Sequence, residues 1–147
     1  AYDMFIDNAY VLNETIHTSE LTYYFSIPCS ATVKNDDGTY SADTHLMESM
    51  FQSSANEMGK NMWTTPAGHV IDETWLENDG LVNTISAKAP SSAPSKEFDK
   101  NEAVVPGVWH IMPTYNGDHM SLQGGLLKTN TDVERLYTEH LGMINCL

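Results

Sequence analysis

At 147 residues, 41% of them apolar and 10% aromatic, the chain has enough hydrophobic material to pack one domain, residues 1–147, and lacks the profile of a disordered segment. Twenty acidic against seven basic side chains leave a formal charge of −13, which argues by repulsion against nucleic acid and anionic membrane surfaces as partners. No apolar run approaches the roughly 18 residues needed to cross a bilayer, and the amino terminus has neither the basic start nor the apolar stretch of an export signal, so any such signal is expected upstream.

Residues 7–16 begin with Asp7, a residue type that caps helices, and carry Val11, Leu12, Thr15 and Ile16 at helical spacing; a short helix is predicted. Leu21, Tyr23, Phe25 and Ile27 then alternate with Thr22, Tyr24 and Ser26 up to Pro28, a period of two that predicts a strand over residues 21–27. Lys34-Asn35-Asp36-Asp37-Gly38 reads as a polar surface turn. From a start near Asp43 or Thr44, Leu46, Met47, Met50, Phe51, Ala55, Met58 and Met62 recur at steps of three and four, which predicts the best-defined internal helix. Its Met-rich stripe reads as core, although Met also lines irregular apolar sites. Gly59, Asn61, Pro66 and Gly68 end the helix and open a loop in which His69 and Asp72 stand as two isolated metal-ligand types, read as surface residues.

The next apolar stretch encloses the turn Glu77-Asn78-Asp79-Gly80, with residues 81–85 able to pack beneath it. Residues 86–100 are rich in Ser, Pro and Ala without periodicity and are predicted to be a mobile loop. Residues 108–112 predict a buried strand, followed by the loop Thr114-Tyr115-Asn116-Gly117-Asp118-His119. Thr131-Asp132-Val133-Glu134 has the capping-box pattern, and Val133, Leu136, Tyr137, Leu141 and Ile144 share a helical face, predicting a docked terminal helix. Cys29 and Cys146 lie far apart and in no Cys-x-x-Cys pair, so they read as small apolar residues with their redox state open.

An isolated Asn-Asp-Gly is ordinarily a solvated turn. Asp79 gains interest from His119, which follows the predicted strand 108–112, because an acid and then a histidine on two post-strand loops suggest an orienting pair. Their order is that of the last two members of a Ser, Asp, His triad, in which the carboxylate fixes the imidazole tautomer. No Gly-x-Ser-x-Gly elbow occurs anywhere in the sequence. Asp118 is the nearest rival acid, but adjacent side chains on an extended loop point apart. The competing histidines are His110 on the strand, His17 and His45 near helix ends, and His140 in the last helix.

Residues 75–86 (WLENDGLVNTIS), Pro90, Gly107-Val108-Trp109 and Tyr115-Asn116-Gly117-Asp118-His119 resemble the carboxyl-terminal half of secreted lipases of the staphylococcal and thermophilic-bacillus type. The similarity runs upstream to Tyr2-Asp3 and downstream through the last helix. It implies an α/β architecture, the carboxyl-terminal portion of an α/β-hydrolase fold with mostly parallel strands and flanking helices, in which the strand over 21–27 is central. It implies further that Asp79 is the triad acid and His119 the base in hydrolysis of a lipid ester, with the serine nucleophile and oxyanion hole supplied by an amino-terminal half, and that the protein is secreted. In that family a calcium ion beside the catalytic histidine takes an acid two residues after it and an Asp-Pro a few residues on. Here Ser121 and Leu126-Leu127 stand at those positions, so no calcium site is expected, and zinc is assigned to no residue. No cofactor is expected. The alternative is a noncatalytic acidic module that uses the half-fold and its apolar helix for binding. Under the lipase reading, the Asp79 carboxylate should accept a hydrogen bond from one ring nitrogen of His119, leaving the other toward an open cleft.

Overall fold

The computed structural model describes residues 5–125 and 130–147, with backbone alone at 130 and 131. Tyr2-Asp3 and Leu126-Leu127, invoked by the resemblance, lie outside the described residues. In chain order the elements are α1 (Ile6–Thr15), β1 (Tyr24–Ser26), β2 (Cys29–Ser30), β3 (Thr32–Lys34), β4 (Tyr40–Ala42), α2 (Ser49–Met58), β5 (Trp63–Thr64), β6 (Val70–Ile71), β7 (Ser95–Glu97), β8 (Trp109–Ile111), β9 (Tyr115–Asn116) and α3 (Asn130–Ile144).

The frame that positions the site is parallel. β8 pairs with β1 on one side and β7 on the other, Phe25 and Lys96 both lying in register with His110. Just beyond this ladder Pro28 follows β1 and Pro113 follows β8, and because neither offers a backbone N–H the pairing stops there on both strands. It resumes as the parallel pair β2–β9, bridged by the Met112 N–H donating to the Ser26 carbonyl and the Tyr115 N–H donating to the Pro28 carbonyl, at 2.9 and 2.8 Å. Two short parallel ladders thus run in tandem, and the second delivers the chain to His119. Two antiparallel pairs, β3–β4 and β5–β6, complete the sheet structure among the described residues.

The core gathers Ala31, Met47, Phe51 and Ala55, with Ala42, Leu46 and Met120 packed against them. It therefore joins the end of β2, the inner face of α2 and the His119 loop. Cys29 is buried and Cys146 exposed, with no disulfide between them.

Several expectations are corrected. α1 has Phe5 at its N-cap with no side-chain cap, because the Asp7 carboxylate instead accepts the Ala67 N–H at 3.1 Å. β1 begins only at Tyr24, after a turn closed by the Thr22 N–H on the Ser19 carbonyl, and Leu21 is exposed. Within the described chain β8 rather than β1 is the middle strand. α2 starts at Ser49 rather than near residue 43. Residues 43–47 form a turn in which the Asp43 carbonyl accepts the N–H groups of Leu46 and Met47 and its carboxylate that of His45. Gly59 does end the helix, as its C-cap, and leaves Met62 exposed beyond it.

The stretch 86–100 is not wholly irregular, because Ser95–Glu97 forms the parallel strand β7. Three polar residues carry no apolar alternation by which to announce a strand. On α3 the inward stripe is Val133, Leu136, His140 and Met143, while Tyr137, Leu141 and Ile144 remain exposed. The helix docks partly through the edge of His140 on Phe25, with ring centres 5.0 Å apart. The side chain of Thr131, on which the capping box depends, lies outside the described residues.

Candidate active site

The loop at residues 77–84 is built by its own polar side chains. Asn78 is fully buried; its amide donates to the carbonyls of Leu76 (2.9 Å) and Ala55 (3.2 Å), and its side-chain oxygen accepts the Gly80 N–H at 2.9 Å. The Thr84 N–H to Glu77 carbonyl and Asp79 N–H to Val82 carbonyl bonds close the loop at 2.9 and 3.0 Å. Gly80 sits at φ +99°, and a Cβ there would fall 2.6 Å from Cβ of Phe51, so the glycine is required both for backbone conformation and for the approach of α2. Ser54 adds a hydroxyl bond to the Gly80 carbonyl.

Asp79 is 6% exposed and has two occupied oxygens. Oδ1 accepts the N–H groups of Leu81 and Val82 at 2.9 and 2.7 Å, which fixes the carboxylate plane. Oδ2 lies 2.9 Å from Nδ1 of His119, and the Asp79 carbonyl accepts the His119 backbone N–H at 3.0 Å. One residue thus grips both the main chain and the ring of the other. With a carboxylate accepting at Nδ1, the neutral imidazole carries its proton there and presents a lone pair at Nε2. No described residue bonds Nε2, the His119 side chain is 37% exposed, and Phe51 meets the ring edge-on with centres 6.4 Å apart.

The expected contact between Asp79 and His119 is therefore present. The expectation of an open cleft is modified. A cleft of about 560 Å³ lies beside the Asp79 loop, against Leu81, Val82 and Ile85 on one side and Ile6, Ala9 and Tyr10 of α1 on the other. A larger one of about 850 Å³ lies between α3 and the exits of β1, β7 and β8. His119 lines neither of these two.

The remaining candidates separate cleanly. His110 is buried, its Nε2 accepting the Val105 N–H at 3.2 Å, and the imidazoles of His17 and His45, both exposed, pair with no carboxylate among the described residues. His69 stacks on Tyr10 at 3.8 Å and faces Asp7 at 4.0 Å, while the Asp72 carboxylate caps the short 3-10 helix Glu73–Trp75 through the Thr74 N–H. His69 and Asp72 thus have different partners. Asp118 points away from His119, as expected of its neighbour, and is buried in its own bonding set.

Phe51, Ser54, Asn78 and Asp118 support the site in roles that the sequence did not assign them, Asp118 having been weighed only as a rival acid. The Asn-Asp-Gly motif flagged a turn around Asn78; nothing in a helical stripe flags which aromatic will meet a histidine 68 residues away. No group of three or more His, Cys, Asp or Glu side chains among the described residues is gathered to hold a metal ion, and no described helix is long and apolar enough to cross a membrane.

No family model matches the chain. A lipase of Staphylococcus hyicus is 30% identical over 124 residues, 84% of this chain and 18% of that protein. The crystal structure of Staphylococcus hyicus lipase superposes with a TM-score of 0.83 at 25% identity, over 97% of this chain and 36% of that one. The structure of EstA from Clostridium botulinum gives 0.82 at 30% identity, over 94% of this chain and 33% of that one. The chain thus spans about a fifth of the length of the curated relatives it matches, and its parallel strands and flanking helices have the fold of the corresponding part of those structures.

Proposed function

We propose that this chain, a relative of the staphylococcal lipases, provides the acid and the base of a serine-hydrolase triad for hydrolysis of carboxylic esters, triacylglycerols foremost. The observation that carries the proposal is the 2.9 Å contact between Asp79 Oδ2 and His119 Nδ1, with Oδ1 already held by two backbone N–H groups. The carboxylate cannot rotate away without breaking both. It therefore holds one imidazole tautomer, leaving Nε2 to take a proton from a serine hydroxyl during attack and return it to the departing alkoxide. Asp79 stabilises the imidazolium formed between the two steps, and its burial strengthens that interaction.

The fold assigned by this proposal is the carboxyl-terminal portion of an α/β-hydrolase. The nucleophile and the oxyanion donors come from an amino-terminal half of the same enzyme, since the backbone donors follow the nucleophile and an earlier strand in that fold. The enzyme acts outside the cell on lipid esters. The test is turnover of tributyrin by the intact enzyme carrying His119→Ala. Activity falls to background while the circular dichroism spectrum is unchanged; full activity in a folded variant leaves only a noncatalytic binding role.

A further inference from the structure

The Asp118 carboxylate is 1% exposed and reaches across 70 residues of sequence. Its Oδ2 accepts the backbone N–H of Glu48 at 2.8 Å, at the entry to α2, while Oδ1 accepts the Met120 N–H at 3.1 Å and the Ser121 hydroxyl at 2.9 Å. The Ser121 N–H donates back to the Asp118 carbonyl at 3.0 Å. α2 carries Phe51, whose ring lies against His119. One carboxylate thus ties the loop before and after His119 to the helix that packs on its imidazole. Gly117 allows this closure, because a Cβ there would fall 2.6 Å from both Cβ and Oγ of Ser121.

The same residues bear on the calcium site raised by the resemblance. A hard cation requires oxygen ligands, some of them charged. Ser121 offers a neutral hydroxyl, 1% exposed and already donated to Asp118, and both oxygens of Asp118 accept hydrogen bonds. Ser121 and Asp118 do not fit a calcium site. We infer that Asp118 is a positioning residue that, with Ser121 and the Glu48 N–H, holds the His119 loop by hydrogen bonds in place of a metal ion. The catalytic consequence rests on the triad reading of His119; the structural consequence does not.

Two measurements on the intact protein separate them. The low-field proton resonance of His119 Nδ1–H reports the Asp79 contact whether or not the protein turns over. Asp118→Asn, which replaces one acceptor oxygen by a donor, weakens or abolishes that resonance and lowers kcat at least tenfold with KM unchanged. Ser121→Ala, which removes one of the bonds and leaves the carboxylate, gives a smaller loss in the same direction and serves if the first variant does not fold. Neither kcat nor the melting temperature of the wild-type protein changes between excess chelator and millimolar calcium. A wild-type resonance and kcat in both variants overturn the brace, and a calcium-dependent rise in kcat or melting temperature overturns the metal-free assignment. If the resonance responds but the wild-type protein hydrolyses no ester, the brace stands and the triad reading falls.

Discussion

Asn78 shows how tightly the acid of the pair is fixed. Its side chain makes three bonds in a fully buried site, so Asn78→Ala leaves the Gly80 N–H and the Ala55 and Leu76 carbonyls without that partner. Unsatisfied buried polar groups cost about 1–3 kcal/mol each, and a denaturant titration of this variant should show a loss of at least that size; a change within error would mean water replaces the amide. Gly80→Ala meets both a φ of +99° and Phe51, and should lower the unfolding midpoint as well. Asp79→Asn keeps the bonds to Leu81 and Val82 but places a donor or a weak acceptor opposite His119. The same change in a protease triad costs about 10⁴ in kcat, and a comparable fall in ester turnover with KM little altered is expected here. A turn signature and a post-strand loop brought Asp79 and His119 forward as a candidate pair, but it is the resemblance, not local chemistry, that prefers them to Asp118 and the other histidines. The hydrogen bonds that make Asp79 rigid were half legible: Asn-Asp-Gly foretells bonding within the turn, whereas the Ala55 carbonyl that receives the Asn78 amide belongs to a distant helix.

At the scale of elements, periodicity located α1, α2, β1, β8 and α3 and misjudged their limits. The boundaries were set by features without a period: the turns at residues 19–22 and 43–47, and the two prolines that split each long strand. β7 escaped because a three-residue strand takes its stability from the ladder with β8, which is a tertiary fact. α2 matters most to the site, since Phe51 is 5% exposed and touches both Gly80 and the neighbourhood of His119. Phe51→Ala should destabilise by about 3–5 kcal/mol and depress kcat beyond what unfolding explains; Phe51→Leu, which keeps most of the volume, should recover stability better than activity. The 3-10 helix Glu73–Trp75, which leads into the Asp79 loop, has a pH signature of its own. Asp72 has its carboxyl held below the ordinary carboxylate value by the Thr74 hydroxyl and N–H. A depressed folded value means that this contribution is present above the unfolded pKa and is lost as the pH falls through the folded one. A carboxyl NMR titration should place Asp72 below an exposed aspartate, and Thr74→Val should bring it back up.

For the whole molecule the decisive fact is an imbalance in chemistry. The chain presents a histidine held by a buried aspartate, the pair proposed as base and acid, yet its sequence holds no Gly-x-Ser-x-Gly elbow, and no described serine hydroxyl bonds His119. A histidine with its aspartate can accept a proton, but it lowers the barrier to ester cleavage only when a nucleophile sits at Nε2 and donors await the oxyanion. When a triad member is lost from a complete protease, the residual catalysis over water comes from the oxyanion hole and substrate binding. Those donors depend on the nucleophile's own backbone and an earlier strand, so the same residue of activity is not expected here. The 147-residue polypeptide purified alone should therefore hydrolyse p-nitrophenyl butyrate at the rate of buffer, and a fluorophosphonate probe should label none of its serines. Turnover by the purified chain that disappears on reaction with such a probe would show that one of its own serines completes the triad, and would overturn the proposal that the nucleophile lies outside these 147 residues.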